Sequence, residues 1–249
     1  MPGFGCVGGV AVMIGSLFSG IGGLELGLER STGGRTIWQV EQNAHAQKVL
    51  AKHWPNARRH NDVRQVGSHN LEPVDIICGG FPCQDLSTAG KQRGIDGARS
   101  GLWSEYARIV RELRPRYVVV ENVAAIIHRG LGRVLGDLAA CGYDAIWDCI
   151  PAQAIGAPHR RDRLFIVAWS LLGEDVANSG CIGHRLQEDI NLRFGLVSRS
   201  RWAPEPQLGR VANGVPNRVD RLRGLGNAVV PQVAEVIGRL VMEIENDLA

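Results

Sequence analysis

At 249 residues with a formal net charge of +3, the chain is long enough for one sizeable α/β core with a small appendage and too short for two full domains. Its six cysteines, Cys6, Cys78, Cys83, Cys141, Cys149 and Cys181, include no C-x-x-C pair and no companion histidines at zinc-site spacing. That excludes a metal knuckle and a disulfide framework and fits a reducing, cytoplasmic setting with no metal. No apolar stretch reaches the roughly 18 residues that span a bilayer, so no membrane partner is expected.

Residues 1–12 are glycine-rich and apolar without a basic leader, and read as an N-terminal extension, with Met13 an equally good start. Strand and helix patterns then alternate. A strand from Val10 to Phe18 leads to a helix from Gly23 to Arg30, a strand from Thr36 to Glu41 and a helix from Ala44 to His53. After a weak third strand come Val74 to Cys78, a helix from Leu102 to Leu113, and Tyr117 to Val120. A glycine-punctuated helical segment, Leu131 to Ala140, precedes strands over Tyr143 to Ile150 and Leu164 to Trp169. This order predicts an α/β fold with a doubly wound, mainly parallel sheet over residues 13–170. Regularity fails across residues 171–216, an expected insert rich in arginine, proline and glycine. In residues 217–249 a helical pattern returns from Asn227 to Glu245, with Ala234 and Gly238 small enough for docking against the sheet domain.

The first strand runs into Leu17-Phe18-Ser19-Gly20-Ile21-Gly22-Gly23-Leu24, a turn whose glycines let backbone N–H groups approach a ligand at a helix N-terminus. Position 25 is glutamate where a dinucleotide fingerprint wants glycine, and no triphosphate loop is present. Glu41 ends the second strand about where an acid bonds ribose hydroxyls, and Asp62 follows the third. A glycine turn alone is as often a structural tight turn; with two acids at successive strand ends it favours a nucleoside cofactor, S-adenosylmethionine first.

Cys83 sits in Gly79-Gly80-Phe81-Pro82-Cys83-Gln84, on a rigid turn after an apolar strand, and reads either as a nucleophile or as a buried structural thiol. Glu121 ends the next strand, where an acid can also simply cap the following segment. Arg160, Arg161 and Arg163 are a solvated charge run or, being next to a strand, part of a site. Between Arg185 and Arg223 there are eight arginines against four acids, Glu188, Asp189, Glu205 and Asp220. Arginine suits phosphates and guanine edges.

The order of motifs resembles the DNA (cytosine-5)-methyltransferase family. The resemblance is carried by Phe18-Ser19-Gly20-Ile21-Gly22, Gly80-Phe81-Pro82-Cys83-Gln84, Glu121-Asn122-Val123, Ala157-Pro158-His159-Arg160-Arg161-Asp162-Arg163 and Gly226-Asn227-Ala228-Val229-Val230-Pro231. Where many members have glutamine, this chain has His159. The resemblance implies that Phe18, Gly20, Gly22, Glu41, Asp62, Pro82, Leu102 and Asn227 line an S-adenosylmethionine pocket, with Ser19, Ile21, Gly23, Leu24, Gln42, Val63 and Ala228 beside them. It implies that Cys83 attacks C6 of a cytosine flipped from double-stranded DNA so that C5 takes the methyl group. Glu121 would bond N3 and the exocyclic amine, and Arg163, less directly Arg161, would bond the base O2 or brace the Cys83 loop. Gln84, Ser87, Lys91, Arg93 and Arg99 would close on the DNA. Arg185, Arg193, Arg199, Arg201 and Arg210 would read a short or relaxed target from the insert.

A monomer on duplex DNA is expected, and the resemblance leaves open whether a cognate restriction endonuclease accompanies it. Three rivals are a tRNA cytosine-5 methyltransferase, an inactive DNA-binding relative and an amino-methylating DNA enzyme. The first is marked by a Cys-Phe-Thr tripeptide and the third by an Asp/Asn-Pro-Pro-aromatic loop, and neither occurs here. The second is expected to lose Cys83, Glu121 or an arginine, and all are kept.

Overall fold

In the computed structural model, which describes residues 11–82, 101–171 and 224–248, the apolar runs form seven strands of one sheet. In chain order they are β1 (Met13–Leu17), β2 (Arg35–Val40), β3 (Arg58–His60), β4 (Ile76–Gly79), β5 (Tyr117–Val123), β6 (Tyr143–Pro151) and β7 (Asp162–Ser170). The helices are α1 (Gly23–Thr32), α2 (Ala44–His53), α3 (Leu102–Leu113), α4 (Ile126–Arg129), α5 (Leu131–Ala140) and α6 (Pro231–Leu248). The spatial order is β3-β2-β1-β4-β5-β7-β6. The first five strands pair in parallel, and β7 enters antiparallel between β5 and β6. The sheet is therefore mixed, with the strand order reversing at β1 and β4, the crevice where open α/β sheets take ligands.

Helices cover both faces, as a near-continuous Val/Ile run such as Tyr117 to Val120 requires. On one face Leu17, Ile77, Val118, Val120 and Ile166 pack against Trp103, Tyr106 and Val110 of α3 and Val134 and Leu138 of α5. On the other, Ile14, Ile76, Val119, Phe165 and Val167 meet Leu24 and Leu28 of α1 and the inner side of α6, from Val233 to Ile244. The small residues of the last helix do what their size allows. A Cβ placed on Gly27 of α1 would lie 2.3 Å from that of Ala234.

Several boundaries differ from expectation for local reasons. β1 begins at Met13, and β4 begins at Ile76, because Asp75 turns its carboxylate to accept the Met13 N–H at 2.7 Å. The last helix begins at Pro231, not Asn227. Proline's fixed φ suits a first turn, and its missing N–H cannot continue a helix from upstream, so residues 224–227 form a separate helical turn. The four residues of α4 are too few to show a period.

Candidate active site

The C-terminal ends of β1, β2, β4 and β5 open into a cleft of about 640 Å³, a volume suited to a nucleoside-sized ligand. Phe18, Gly20, Ile21, Glu41, Gln42, Asp62, Val63, Pro82, Leu102, Asn227, Glu121 and Arg163, all expected site residues, line it. Pro82 is the last described residue before Cys83 in the chain.

One half of the cleft is built from the turn after β1. Phe18 takes a left-handed φ of 56°, and Gly22, at φ 85°, sets the start of α1. The Ser19 N–H donates to the Val40 carbonyl at 3.1 Å, tying the turn to the end of β2. Glu41 follows directly. Its Oε2 accepts the Gly20 N–H at 2.8 Å and its Oε1 the Asn43 N–H at 2.6 Å. Each oxygen retains a lone pair for a hydroxyl donor. Asp62 accepts the Arg64 N–H at 3.0 Å and takes its guanidinium in a fork, Nε at 2.9 Å and Nη2 at 2.8 Å. These bonds to Arg64 hold the Asp62 carboxyl below the usual range. This pair of acceptors therefore fits a ligand that donates from ribose hydroxyls and an exocyclic amine.

Five expected cofactor residues are absent from the lining. Ser19 spends its hydroxyl on Ser16 Oγ at 2.9 Å, Leu24 is core, and Gly22 lies under Leu50 and Trp54. Gly23 lies so close to the Val229 carbonyl that a Cβ there would sit 2.2 Å from the oxygen, and Ala228 offers its carbonyl to Arg161. Conversely, Asn43, His45, Asn61, Arg64 and Gly224 line the cleft without having been expected. Their signal was adjacency to Glu41, Asp62 and the Gly226-Asn227 motif.

The other half is built on β5 and β7. Glu121, at 8% exposure, pairs with Arg163, whose Nε lies 3.0 Å from its Oε1. Antiparallel register sets this contact, since Glu121 faces Phe165 and Val123 faces Arg163. Burial pushes the Glu121 carboxyl up to about 7, while Arg163 and Arg161 pull the other way. Its second oxygen lies 2.6 Å from where a Cβ on Gly80 would be, so that glycine admits the carboxyl. Asn122, also buried, donates from Nδ2 to the Phe81 carbonyl at 3.2 Å, two residues before Cys83. The Phe81 ring rests on Trp103 with centroids 5.2 Å apart, and Trp103 Nε1 donates to Asp137 at 2.8 Å. These links fix the strand end leading to Cys83 from α3, α5 and β5.

Arg161 goes elsewhere. Its Nη1 donates to the Gly226 carbonyl at 2.8 Å and its Nη2 to that of Ala228, and it does not line the cleft. Cys83, Gln84, Ser87, Lys91, Arg93, Arg99, Arg185, Arg193, Arg199, Arg201 and Arg210 lie outside the described residues. So does the insert beyond Leu171. Among the described residues, no group of three or more metal-ligating side chains comes together, and no helix is long and apolar enough to cross a membrane.

Residues 12–175 match the family model for C-5 cytosine-specific DNA methylase. The chain is 36% identical over 161 residues to the type II methyltransferase M2.BsuMI of Bacillus subtilis, covering 61% of this chain and 41% of the relative. It is 32% identical over 157 residues to M.HhaI, a type II methyltransferase of Haemophilus parahaemolyticus, covering 61% and 47%. The chain thus matches less than half the length of these relatives. Among solved structures, the Dnmt2 methyltransferase of S. pombe superposes with a TM-score of 0.58 at 17% identity, over 76% of this chain and 57% of that one, a likeness of fold.

Proposed function

Because the chain belongs to the C-5 cytosine-specific DNA methylase family, we propose that it methylates C5 of a cytosine flipped out of double-stranded DNA, using S-adenosylmethionine. The observation that carries this reading is one cleft holding both parts of the chemistry. Glu41 and Asp62 line one side as acceptors, Glu121 and Arg163 the other, and Pro82, the residue before Cys83 in the sequence, lines it as well.

S-adenosylmethionine, when bound, supplies an electrophilic methyl group. Glu41 would hold the ribose hydroxyls on its free lone pairs, and Asp62 the adenine amine. The Cys83 thiolate would add to C6 of the base, forming the S–C6 bond and leaving C5 carbanion-like to take the methyl group. A free thiol is only a minor fraction thiolate at neutral pH, so the ring must be made more electrophilic. Glu121, its proton retained near neutral pH by burial, would donate to N3 and absorb the charge that develops there. Arg163 keeps that carboxyl aimed and would offer its remaining N–H groups to the base O2. Loss of the C5 proton to a water, elimination of the Cys83 sulfur as thiolate and return of the N3 proton to Glu121 would complete the cycle. Extrusion of the base costs a few kcal/mol. Gln84, Ser87, Lys91, Arg93 and Arg99 would repay part of it on the DNA, with Arg185, Arg193, Arg199, Arg201 and Arg210 reading the target.

The test is base-resolution conversion sequencing of DNA from a methylation-free host expressing the protein or its Cys83→Ser variant. 5-Methylcytosine in one context with the former and none with the latter is the expected result, with cofactor affinity in the variant kept within about threefold. Equal methylation by both would remove Cys83 from the mechanism. Soluble protein that binds the cofactor but leaves DNA unmodified would move the reading to RNA or to a binding role.

A further inference from the structure

We infer that Arg161 is a positioning residue for the cofactor cleft, acting by pinning residues 226–230 as a wall of that cleft and not by touching the base. The inference deepens the reading of the cleft as an S-adenosylmethionine site and rests on it.

Arg161 and Arg163 are two residues apart, a spacing that in a continuous strand puts both side chains on one face. Here the strand starts at Asp162, and Arg161 has a left-handed φ of 36°. That backbone turn separates the two guanidinium groups. Arg163 goes to Glu121, while Arg161 takes the carbonyls of Gly226 and Ala228 with two different nitrogens. Asn227, between those carbonyls, lines the cleft, as does Gly224. The same segment is met from its other side by α1, where the Val229 carbonyl fills the space that a Cβ on Gly23 would need. Residues 226–230 are thus clasped between the first residue of α1 and Arg161.

The clasp suits arginine specifically. Its planar fork reaches two carbonyls at once with a fixed spacing, whereas lysine presents a single point of charge. It also secures Gly226 and Ala228, in the described stretch that follows residue 223, beside the start of β7.

The experiment compares the intact protein with Arg161→Ala and Arg161→Lys by three readouts. These are amide hydrogen exchange of the free protein, equilibrium binding of S-adenosylmethionine, and single-turnover methyl transfer at saturating cofactor. Arg161→Ala should speed exchange in residues 226–230 while β5 and β7 stay protected. It should weaken cofactor binding about tenfold or more, and leave the saturated transfer rate within about threefold. Arg161→Lys, which keeps the charge and serves if the alanine variant fails to fold, should be intermediate in exchange and affinity.

Unchanged exchange and affinity with a large fall in the saturated rate would overturn the inference and return Arg161 to the base. Failure of the intact protein to bind S-adenosylmethionine would defeat the reading of the cleft instead. The exchange measurement needs no cofactor and would still decide whether Arg161 pins the segment.

Discussion

Glu41 follows the end of β2 and Glu121 lies within β5 near its end, on two sides of one cleft, yet the structure holds them by opposite means. Glu41 is fixed by two backbone N–H donors from the chain around it, Gly20 and Asn43, which use one lone pair of each oxygen and leave an acceptor behind. Among the described residues, Glu121 receives no backbone donor. It is buried beside one guanidinium, and burial keeps its proton near neutral pH, which makes it a donor. The same side chain is thus an acceptor where peptide groups surround it and an acid where apolar packing does. The parallel strand ends supply the first environment and the antiparallel β5–β7 pair the second.

The largest effect expected from breaking this contrast is at Glu121. Glu121→Gln keeps size and hydrogen-bonding reach but cannot transfer a proton. Single-turnover methyl transfer should fall about 10²- to 10⁴-fold while cofactor affinity stays within threefold. A matching loss of affinity would show that the two halves are not independent. Glu41→Ala should do the reverse, weakening S-adenosylmethionine binding about 10- to 100-fold through loss of charge-assisted bonds, with little change in the rate at saturation; calorimetric titration and single turnovers separate the two. A pH series sharpens the point further. Raising pH through about 7 strips the Glu121 proton, so the single-turnover rate should drop toward tenfold per unit above that value if the Cys83 step is not itself base-limited. A rate that only climbs across that range would deny the acid role.

Glu25 supplies the smallest and most local test. Like Glu121 it is buried and pushed up to about 7 by that burial, with the Ser16 and Ser19 hydroxyls pulling the other way, but it does not face the cleft. The folded pKa exceeds the ordinary 4.5, so between the two values the folded chain keeps a proton that the unfolded chain has lost. Stability therefore falls as pH rises through that window and stays reduced above it. Glu25→Gln removes the slope, and denaturant titration should find the variant about 1 to 3 kcal/mol more stable at pH 8 and nearly unchanged at pH 4.

Much of the half of the cleft built on the β1 turn could be read in the sequence because its parts are short-range. A glycine turn after a strand, an acid at the end of the next and another after the third are placed by the βα repeat itself, and Phe18, Glu41 and Asp62 all reach the cleft. Glu121 and Arg163 were legible as strand-end residues, but their pairing depends on the antiparallel register of β5 with β7, which no periodicity encodes. Arg161 was read with Arg163 because both belong to the motif at residues 157–163 that carries the resemblance. A left-handed backbone at a residue other than glycine is invisible in sequence, and the partner carbonyls lie 65 and 67 positions away. The bond from Asn122 to Phe81 spans 41 positions and was missed for the same reason.

The packing of α6 on α1 sets an order of events for the growing chain. Arg30 and Glu235, which join the two helices by an ion pair of 3.0 Å, are 205 positions apart, and Leu24 and Leu28 share their core with Ala234 and Ile237 of α6. Contacts of such separation are paid for by loop closure before they give anything back. During synthesis the β1 turn and Glu41 can form early, but the wall carrying Asn227 cannot. Ligand affinity should therefore be acquired in one late step, after α6 has left the ribosome, and a nascent chain stalled before residue 224 should expose its α1 face to chaperones.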